Sequence, residues 1–325
     1  MRYSVRAISL SIIAAILAII CVFIWWRFGN DIATARAQAA HGSVVVQTPC
    51  GQIEYQEAGV GIPLLMIHGS GGGHDQGMAW AQPLVQQGIR VIAMSRFGYL
   101  RTPMPSDGSP LAQADAHVCL LDALGITNAA VMGVSAGAPS AMQMAIRHPV
   151  RVSALVLIVP IAYKPVTVVD SAPRVSSRKD AMLMRLLGSD FLFWAGLQLA
   201  HDQVIRHVLA TPPDLVAVAS EPERERVNAL AKRILPVSLR AAGLHDDTML
   251  GKSLDRYALE AIRASTLVVS ARDDGFGTYA TAEYTASRIP NATFIGYEHG
   301  GHLLVGHNDA VLREIMDLLT AQARS

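Results

Sequence analysis

The sequence predicts an α/β fold, in which a mostly parallel β-sheet is covered by helices and carries a helical insertion. Two observations indicate the sheet: short, almost wholly apolar runs recur along the chain, and segments with helical spacing separate them. Apolar runs of this length are typical of parallel strands that are buried on both faces. A third observation indicates the insertion, because the alternation stops between residues 163 and 264. Strand and helix alternation of this kind predicts right-handed crossovers.

The composition indicates a globular chain with an unusually apolar body. Of 325 residues, 51% are hydrophobic and 16% are charged, and the mean hydropathy is +0.31. These values exclude intrinsic disorder over the whole chain. Because the net charge is only +1, we expect no nucleic-acid partner. No CxxC and no His/Cys cluster with zinc spacing occurs, so we expect neither a metal nor an organic cofactor. The oligomeric state stays open.

The first element is an uncharged apolar segment at residues 7–26, which ends in two consecutive tryptophans. About twenty apolar residues are what a helix needs to cross a bilayer, and tryptophans concentrate at its interfaces. We predict a single-pass anchor with a short cytoplasmic tip over residues 1–27, with the lipid bilayer as its partner, and an Ala-rich stalk over 28–42. Small residues at 33–37 leave a cleaved signal peptide open as an alternative, although its apolar region would be shorter.

The charges that flank the segment bear on its orientation. Arg2, Arg6 and the amino terminus precede it, whereas Arg27 and Arg36 follow it and Asp31 offsets one of them. The positive-inside rule favours a cytoplasmic N-terminus by about one charge. We therefore expect the bulk of the chain, after the apolar segment, on the extracytoplasmic side of the membrane.

The strands and helices of the core follow in order. Residues 43–47 and 52–57 alternate around a Pro-Cys-Gly turn and predict a hairpin. The apolar runs expected to form central strands are residues 63–67, 89–94, 129–134, 154–159, 266–269 and 293–295. The segments with helical spacing between and after them are residues 78–87, 111–124, 136–147, 279–288 and 310–323.

Residues 163–264 show helical periodicity and no clear strand, notably at 182–187, 191–200 and 230–239. Structureless loops of that length are rare in compact domains. We therefore predict a helical cap that divides the α/β core into residues 43–162 and 265–325.

The three cysteines give little information on redox state. Cys21 lies in the apolar segment, Cys50 in the predicted hairpin turn and Cys119 in a predicted helix. Cys50 and Cys119 could pair in an oxidising compartment, but buried free thiols are the favoured interpretation.

The strongest motif is Gly-Val-Ser-Ala-Gly at residues 133–137. It follows a predicted strand and opens a predicted helix, which is the strand–turn–helix context that a G-x-S-x-G nucleophile elbow requires. The glycines allow close backbone approach, and the N-terminus of the following helix places N–H groups near a developing anion. Ser135 is the predicted nucleophile.

A glycine-rich loop, His68 to Gly73, follows the strand at 63–67. It lacks the Gly-Lys-Ser/Thr of a phosphate-binding loop, and we interpret it as an oxyanion loop. The backbone N–H groups of Ser70 and Ala136 are the predicted oxyanion hole, and His68 is expected to hold the loop in place.

With this loop, the Ser-Arg-Phe-Gly-Tyr turn at 95–99, the elbow at Ser135 and two later motifs, the chain resembles the α/β-hydrolase superfamily. The resemblance runs from residue 43 to the C-terminus, and the cap matches only as an insertion. It implies an eight-stranded, mostly parallel sheet and a catalytic triad in the order Ser, acid, His. Many members have Asp in place of Ser95, outside the triad.

The resemblance also places the acid after a late strand and the base after the last one. In Ser-Ala-Arg-Asp-Asp-Gly the family spacing selects Asp274, with Asp273 as the alternative. In Glu-His-Gly-Gly-His-Leu-Leu it selects His302, with His299 and His307 as competitors. The implied catalytic residues are therefore Ser135, Asp274 and His302.

The implied function is that of a membrane-anchored serine hydrolase that cleaves a carboxylic ester, or a related acyl bond, of a small or apolar substrate. Other chemistry on the same fold stays open: C–C bond hydrolysis, lactonase, amidase, peptidase or perhydrolase activity. A slow-turnover ligand-binding or sensor protein is a further alternative.

The sequence says least about substrate contacts. His74 and Arg96 lie in loops expected near the mouth of the site or at the solvated surface. Five large apolar side chains of the predicted cap could line an acyl pocket, although a role in the cap's own core is favoured. They are Phe191, Phe193, Trp194, Leu197 and Met249.

Overall fold

The computed structural model describes residues 2–165, 188–251 and 254–322. It confirms the predicted fold class, with one eight-stranded, mostly parallel sheet between layers of helices. Among the predicted cap helices, the one at 182–187 lies outside the described residues.

The strands fall where the apolar runs predict them. They are β1 (Val44–Thr48), β2 (Gly51–Ala58), β3 (Ile62–Ile67), β4 (Ile89–Met94), β5 (Ala129–Val134), β6 (Val152–Ile158), β7 (Ser265–Ala271) and β8 (Ala292–Tyr297). The spatial order is β1-β2-β4-β3-β5-β6-β7-β8. The β1–β2 and β2–β4 pairs are antiparallel, and the remaining pairs are parallel. Loops that follow the parallel strands therefore meet at one edge of the sheet.

Within the described residues, the helices of at least six residues are, in chain order, α1 (Arg2–Ala40), α2 (His74–Val85), α3 (Pro110–Ala123), α4 (Ala138–Arg147), α5 (Asp190–Leu199), α6 (His201–His207), α7 (Pro213–Val218), α8 (Glu221–Lys232), α9 (Ala241–Leu250), α10 (Thr278–Arg288) and α11 (Asn308–Gln322). Short 3₁₀ turns lie at Ser135–Gly137, Pro149–Arg151, Val237–Leu239 and Leu259–Ala261. Helices α5 to α9 all belong to the stretch between β6 and β7.

Two apolar layers cover the two faces of the sheet. Leu65 and Ile67 of β3 pack with α3, α4 and α10, whereas Leu64 and Met66 of the same strand pack with α2 and α11. Successive side chains of a strand point to opposite faces. A strand covered on both faces therefore needs an uninterrupted apolar run, which is the pattern that identified the central strands.

A third apolar cluster forms the core of the helical insertion. Phe193, Trp194 and Leu197 are buried in it, which confirms the favoured interpretation of these three residues. The cluster also includes Ile32 of α1 and Tyr99 from the loop after β4. It therefore joins the insertion to α1 and to the sheet.

Helix α1 continues without a break through the region predicted as a stalk, residues 28–42, as far as Ala40. Its apolar part has a mean hydropathy of 2.6 over its most apolar 18 residues, none of which is buried. By length and composition, this part could be a membrane span or a signal sequence. Its second half is packed on the body of the protein, where Ile32 and Ala39 are buried.

The expectation of free thiols is wrong for Cys50 and Cys119, which form a disulfide. The turn between β1 and β2 packs over α3 and brings the two Cα atoms within 6.1 Å. The two cysteines are 69 residues apart in sequence, so the local sequence pattern around each of them does not indicate that they meet. Disulfides persist mainly in oxidising compartments.

Replacing both cysteines by serine is expected to lower the free energy of unfolding by about 4 kcal/mol, because the bond closes a long loop and restricts the unfolded chain. Urea denaturation in detergent would measure the change. Cys21→Ser, which removes an exposed free thiol, is the control and should leave the midpoint unchanged. Equal midpoints for the wild type with and without reductant would contradict the prediction.

Candidate active site

Ser135 lies at the sharp turn between β5 and α4, with a left-handed backbone φ of 50°. Such a conformation costs a non-glycine residue about 1–3 kcal/mol and persists only where the surroundings impose it. The flanking glycines show what imposes it. A Cβ at Gly133 would lie 2.8 Å from the Cα of Ala138, and one at Gly137 would lie 2.5 Å from the carbonyl oxygen of Ile67.

The glycine-rich loop passes directly over the serine. A Cβ at Gly69 would lie 3.1 Å from the Cβ of Ser135, a tight contact that favours glycine at this position. The Nδ1 of His68 lies 2.7 Å from the Gly69 carbonyl oxygen, and its Nε2 accepts the backbone N–H of Arg96 at 3.0 Å. Burial, helped by the Arg96 charge, holds the pKa of His68 well below its usual value. A neutral His68 therefore fixes the loop.

Asp274 and His302 meet after β7 and β8. The Oδ2 of Asp274 lies 2.9 Å from the Nδ1 of His302. The same carboxylate accepts the backbone N–H of Phe276 at 2.9 Å and the hydroxyl of Thr278. Asp274 is buried, and the His302 side chain is only 10% exposed. The carboxylate is thus held on three sides, and it orients the imidazole.

The alternatives to these two residues have other contacts. The Asp273 carboxylate accepts the backbone N–H groups of Gly300 and Gly301, at 3.3 and 2.8 Å. His299 is exposed, and the ring of His307 stacks on Tyr297 at 3.8 Å. Asp273 therefore holds the loop that carries His302.

Ser135, His302 and Ser70 line one cavity of about 750 Å³ beneath the helical insertion. Half of its other lining residues are apolar, among them Met66, Trp80, Ile158, Leu230, Ile234 and Leu244. The five apolar cap residues considered from the sequence are not among the lining residues. The structure thus points to apolar side chains of α2, α8 and α9 that the sequence reasoning did not select.

A buried network behind the oxyanion loop was also missed. The Arg96 guanidinium binds both carboxylate oxygens of Asp247 on α9, at 2.9 and 2.6 Å. Asp247 also accepts the hydroxyls of Tyr99 at 2.5 Å and Ser70 at 2.8 Å. The Tyr99 hydroxyl in turn accepts the N–H of Gly71 at 3.3 Å. A single cap carboxylate thus connects the turn after β4 to the loop over Ser135.

A second buried ion pair connects the start of α9 to the same region. Arg240, fully buried, donates to the Gly72 carbonyl oxygen and to Asp75 at 2.8 Å.

The expectation that His74 and Arg96 lie at the site mouth or the solvated surface is wrong, because both are buried. His74 Nε2 lies 2.9 Å from the carbonyl oxygen of Ala39.

His117 on α3 supports the elbow from behind. Its Nε2 lies 2.9 Å from the Ser140 hydroxyl, which donates to the carbonyl oxygen of Gly137 at 3.2 Å. Ser140 therefore accepts from a protonated Nε2, and Nδ1 has no partner among the described residues. Burial lowers the pKa of His117 to about 3, so the imidazole is neutral.

This neutral histidine should make the fold sensitive to acid. Below about pH 6.5 His117 is protonated in the unfolded chain but stays neutral in the folded chain, so the free energy of unfolding falls as the pH drops. The slope approaches about 1.4 kcal/mol per pH unit for this one group. We expect His117→Gln to flatten the dependence by that amount between about pH 6 and about pH 4 in urea titrations. His41→Gln, at an exposed site, is the control, and an unchanged slope in His117→Gln would contradict the assignment.

Residues 62–308 match the profile of a family described as the alpha/beta hydrolase fold. The 2-hydroxymuconate semialdehyde hydrolase of Pseudomonas putida is 28% identical over 256 residues, covering 76% of this chain and 82% of that protein. The hydrolase of the same name from Pseudomonas sp. strain CF600 is 42% identical over 105 residues, but the match spans only 37% of its length and 31% of this chain. An alpha/beta hydrolase fold protein from Nakamurella multipartita, with a solved structure, superimposes with a TM-score of 0.69 and 27% identity, covering 87% of this chain and 100% of that one.

Proposed function

The chain belongs to the alpha/beta hydrolase fold family, and on that premise we propose that it is a membrane-anchored serine hydrolase that cleaves a carboxylic ester or a related acyl bond. One observation carries the proposal. Ser135, in a strained turn, lines the same cavity as His302, whose Nδ1 lies 2.9 Å from the buried carboxylate of Asp274. A serine, a base and an oriented base partner are the parts that acyl transfer requires.

In the proposed reaction, Nε2 of His302 takes the proton of Ser135 as its Oγ attacks the acyl carbon. Asp274 keeps Nδ1 protonated and stabilises the imidazolium. The N–H groups of Ser70 and Ala136 donate to the oxyanion, where one such donor contributes about 3 kcal/mol. The imidazolium then gives its proton to the leaving alkoxide. Water, deprotonated by His302, cleaves the acyl-enzyme and releases the acid.

Membrane anchoring and an extracytoplasmic position belong to the same proposal. The apolar stretch of α1 has the length of a span, and the flanking charge favours a cytoplasmic N-terminus. The disulfide between Cys50 and Cys119 supports an oxidising compartment for the body.

Labelling with a fluorophosphonate probe tests the proposal directly, because the probe reacts with an activated serine. We expect the wild type to be labelled and Ser135→Ala, shown to be folded by circular dichroism, to remain unlabelled. Labelling of Ser135→Ala would indicate another nucleophile. A folded wild type that resists the probe would contradict an assembled triad.

C–C bond hydrolysis is a second candidate, because the two relatives named above are 2-hydroxymuconate semialdehyde hydrolases. The cavity lining includes the basic side chains Lys164 and His207, which suit an anionic substrate, whereas Arg226, also in the lining, is paired with Glu223 at 2.7 Å. The two candidates differ in their preferred substrate. A higher kcat/KM for 2-hydroxymuconate semialdehyde than for p-nitrophenyl butyrate would favour the second, and the reverse would favour the ester hydrolase.

A further inference from the structure

Helix α5 is apolar on its exposed side as well as on its buried side. Its residues 191–199 carry no charge. Phe193, Trp194 and Leu197 face the cap core, whereas Phe191, Leu192 and Leu199 are 37%, 47% and 87% exposed. A surface helix of a globular protein normally presents polar residues outward, and an apolar outer face marks a contact with a membrane or with another protein. We call the three exposed side chains the α5 face.

The α5 face lies beside the part of α1 that leaves the apolar stretch. The ring of Phe191 is 6.4 Å from that of Trp25 and 5.3 Å from that of Phe28. Both tryptophans that end the stretch, Trp25 and Trp26, are themselves more than 60% exposed. The α5 face therefore extends an exposed aromatic group of α1.

Polar contacts join both ends of α5 to α1. Arg36 of α1 lies 3.7 Å from Asp190 at the start of α5, and Arg27 lies 3.5 Å from Gln198 near its end. Phe191 near the start of α5 and Gln198 near its end therefore both lie beside residues 25–28 of α1. The end of α5 that carries Leu199 is the end at the level of Arg27, where the apolar stretch of α1 stops.

We propose that the α5 face inserts into the headgroup–acyl boundary of the bilayer that α1 crosses, so that the insertion rests on the membrane. The inference rests on the proposed anchoring, which sets the level of α5. Tryptophan and phenylalanine beside aliphatic side chains are the composition of interfacial helices. The arginine at the boundary can meet lipid phosphates. The occupant is the lipid surface, and a second copy of the chain is an alternative that the test separates.

Spin-label accessibility on the full chain tests the inference. In a Cys21→Ser background, a nitroxide is attached at Leu199→Cys and the protein is reconstituted with phosphatidylethanolamine and phosphatidylglycerol. Collision with oxygen, which enters lipid, is compared with collision with a water-soluble nickel chelate. Val150→Cys is the matched control, because Val150 is also apolar, is 81% exposed and precedes β6 at the opposite edge of the sheet. Leu17→Cys reports on the span itself.

We expect the oxygen-to-nickel ratio at position 199 to exceed that at position 150 severalfold and to approach that at position 17. A ratio at 199 equal to that at 150, with a high ratio at 17, would overturn the inference and leave the anchoring intact. A low ratio at 17 would overturn both. Protection of position 199 from both reagents would indicate a protein partner such as a second copy, and would also overturn contact with lipid.

Discussion

Replacing His302 by alanine is expected to lower kcat by on the order of 10⁶-fold, because the serine, the base and its partner act as one unit. Asp274→Asn should cost less, on the order of 10⁴-fold, since the imidazole stays in place but loses the correct tautomer. Hydrolysis of p-nitrophenyl butyrate measures both effects. The binding of substrate should change far less than kcat, which separates a catalytic loss from a misfolded pocket.

The loop around His302 offers its own control. His299 lies three residues away, is exposed, and contacts the alternative acid Asp273 at 3.6 Å. His299→Ala should retain the wild-type kcat within a factor of about two, since exposed substitutions of this kind perturb little. If His302→Ala kept more than about a thousandth of the wild-type activity, the assignment of the base would be wrong.

Asp247→Ala is expected to lower the free energy of unfolding by about 3–5 kcal/mol, the cost of leaving one partner of a buried ion pair without the other. The Arg96 side chain is only 3% exposed and would keep its charge with no carboxylate to meet it. Burial, and next the Asp247 charge, raise the pKa of Tyr99 well above its usual value. Tyr99 is therefore a neutral donor that would lose its acceptor as well.

Urea denaturation measures this loss, and Asp246→Ala is the matched control, because the neighbouring carboxylate on α9 is only partly buried. A double variant, Arg96→Met with Asp247→Leu, should recover the part of the loss that comes from the unpaired guanidinium, since an apolar pair can replace a buried ion pair. A change within about 0.5 kcal/mol in Asp247→Ala would be typical of a surface site and would contradict the predicted cost.

The strands that position the site could be predicted from the sequence for a definite physical reason. A strand buried on both faces must be apolar throughout, and β4 and β5 coincide with the predicted runs 89–94 and 129–134. The turn motifs could be predicted because close backbone contact at Gly133 and Gly137 excludes every side chain. These are local constraints, and each leaves a local pattern.

Contacts between distant segments leave no such pattern. Arg96 and Asp247 are 151 residues apart, and each alone looks like an ordinary surface charge. Cys50 and Cys119 likewise sit in unremarkable contexts. The residues that line the cavity could not be predicted for the same reason. Apolar cap residues serve either the core or the cavity, and periodicity cannot separate the two uses.

The unbroken course of α1 has a consequence for how the proposed enzyme would meet its substrate. A helix rises about 1.5 Å per residue, so the fourteen steps from Trp26 to Ala40 span about 21 Å as a rigid strut. The strut is fixed to the body where the carbonyl oxygen of Ala39 contacts His74 and where Trp194 Nε1 donates to Asp31 at 2.8 Å. A flexible tether would let the body tumble above the lipid. A braced one would keep a constant tilt and height, so that encounters with membrane-borne substrate would depend on its surface density and on lateral diffusion.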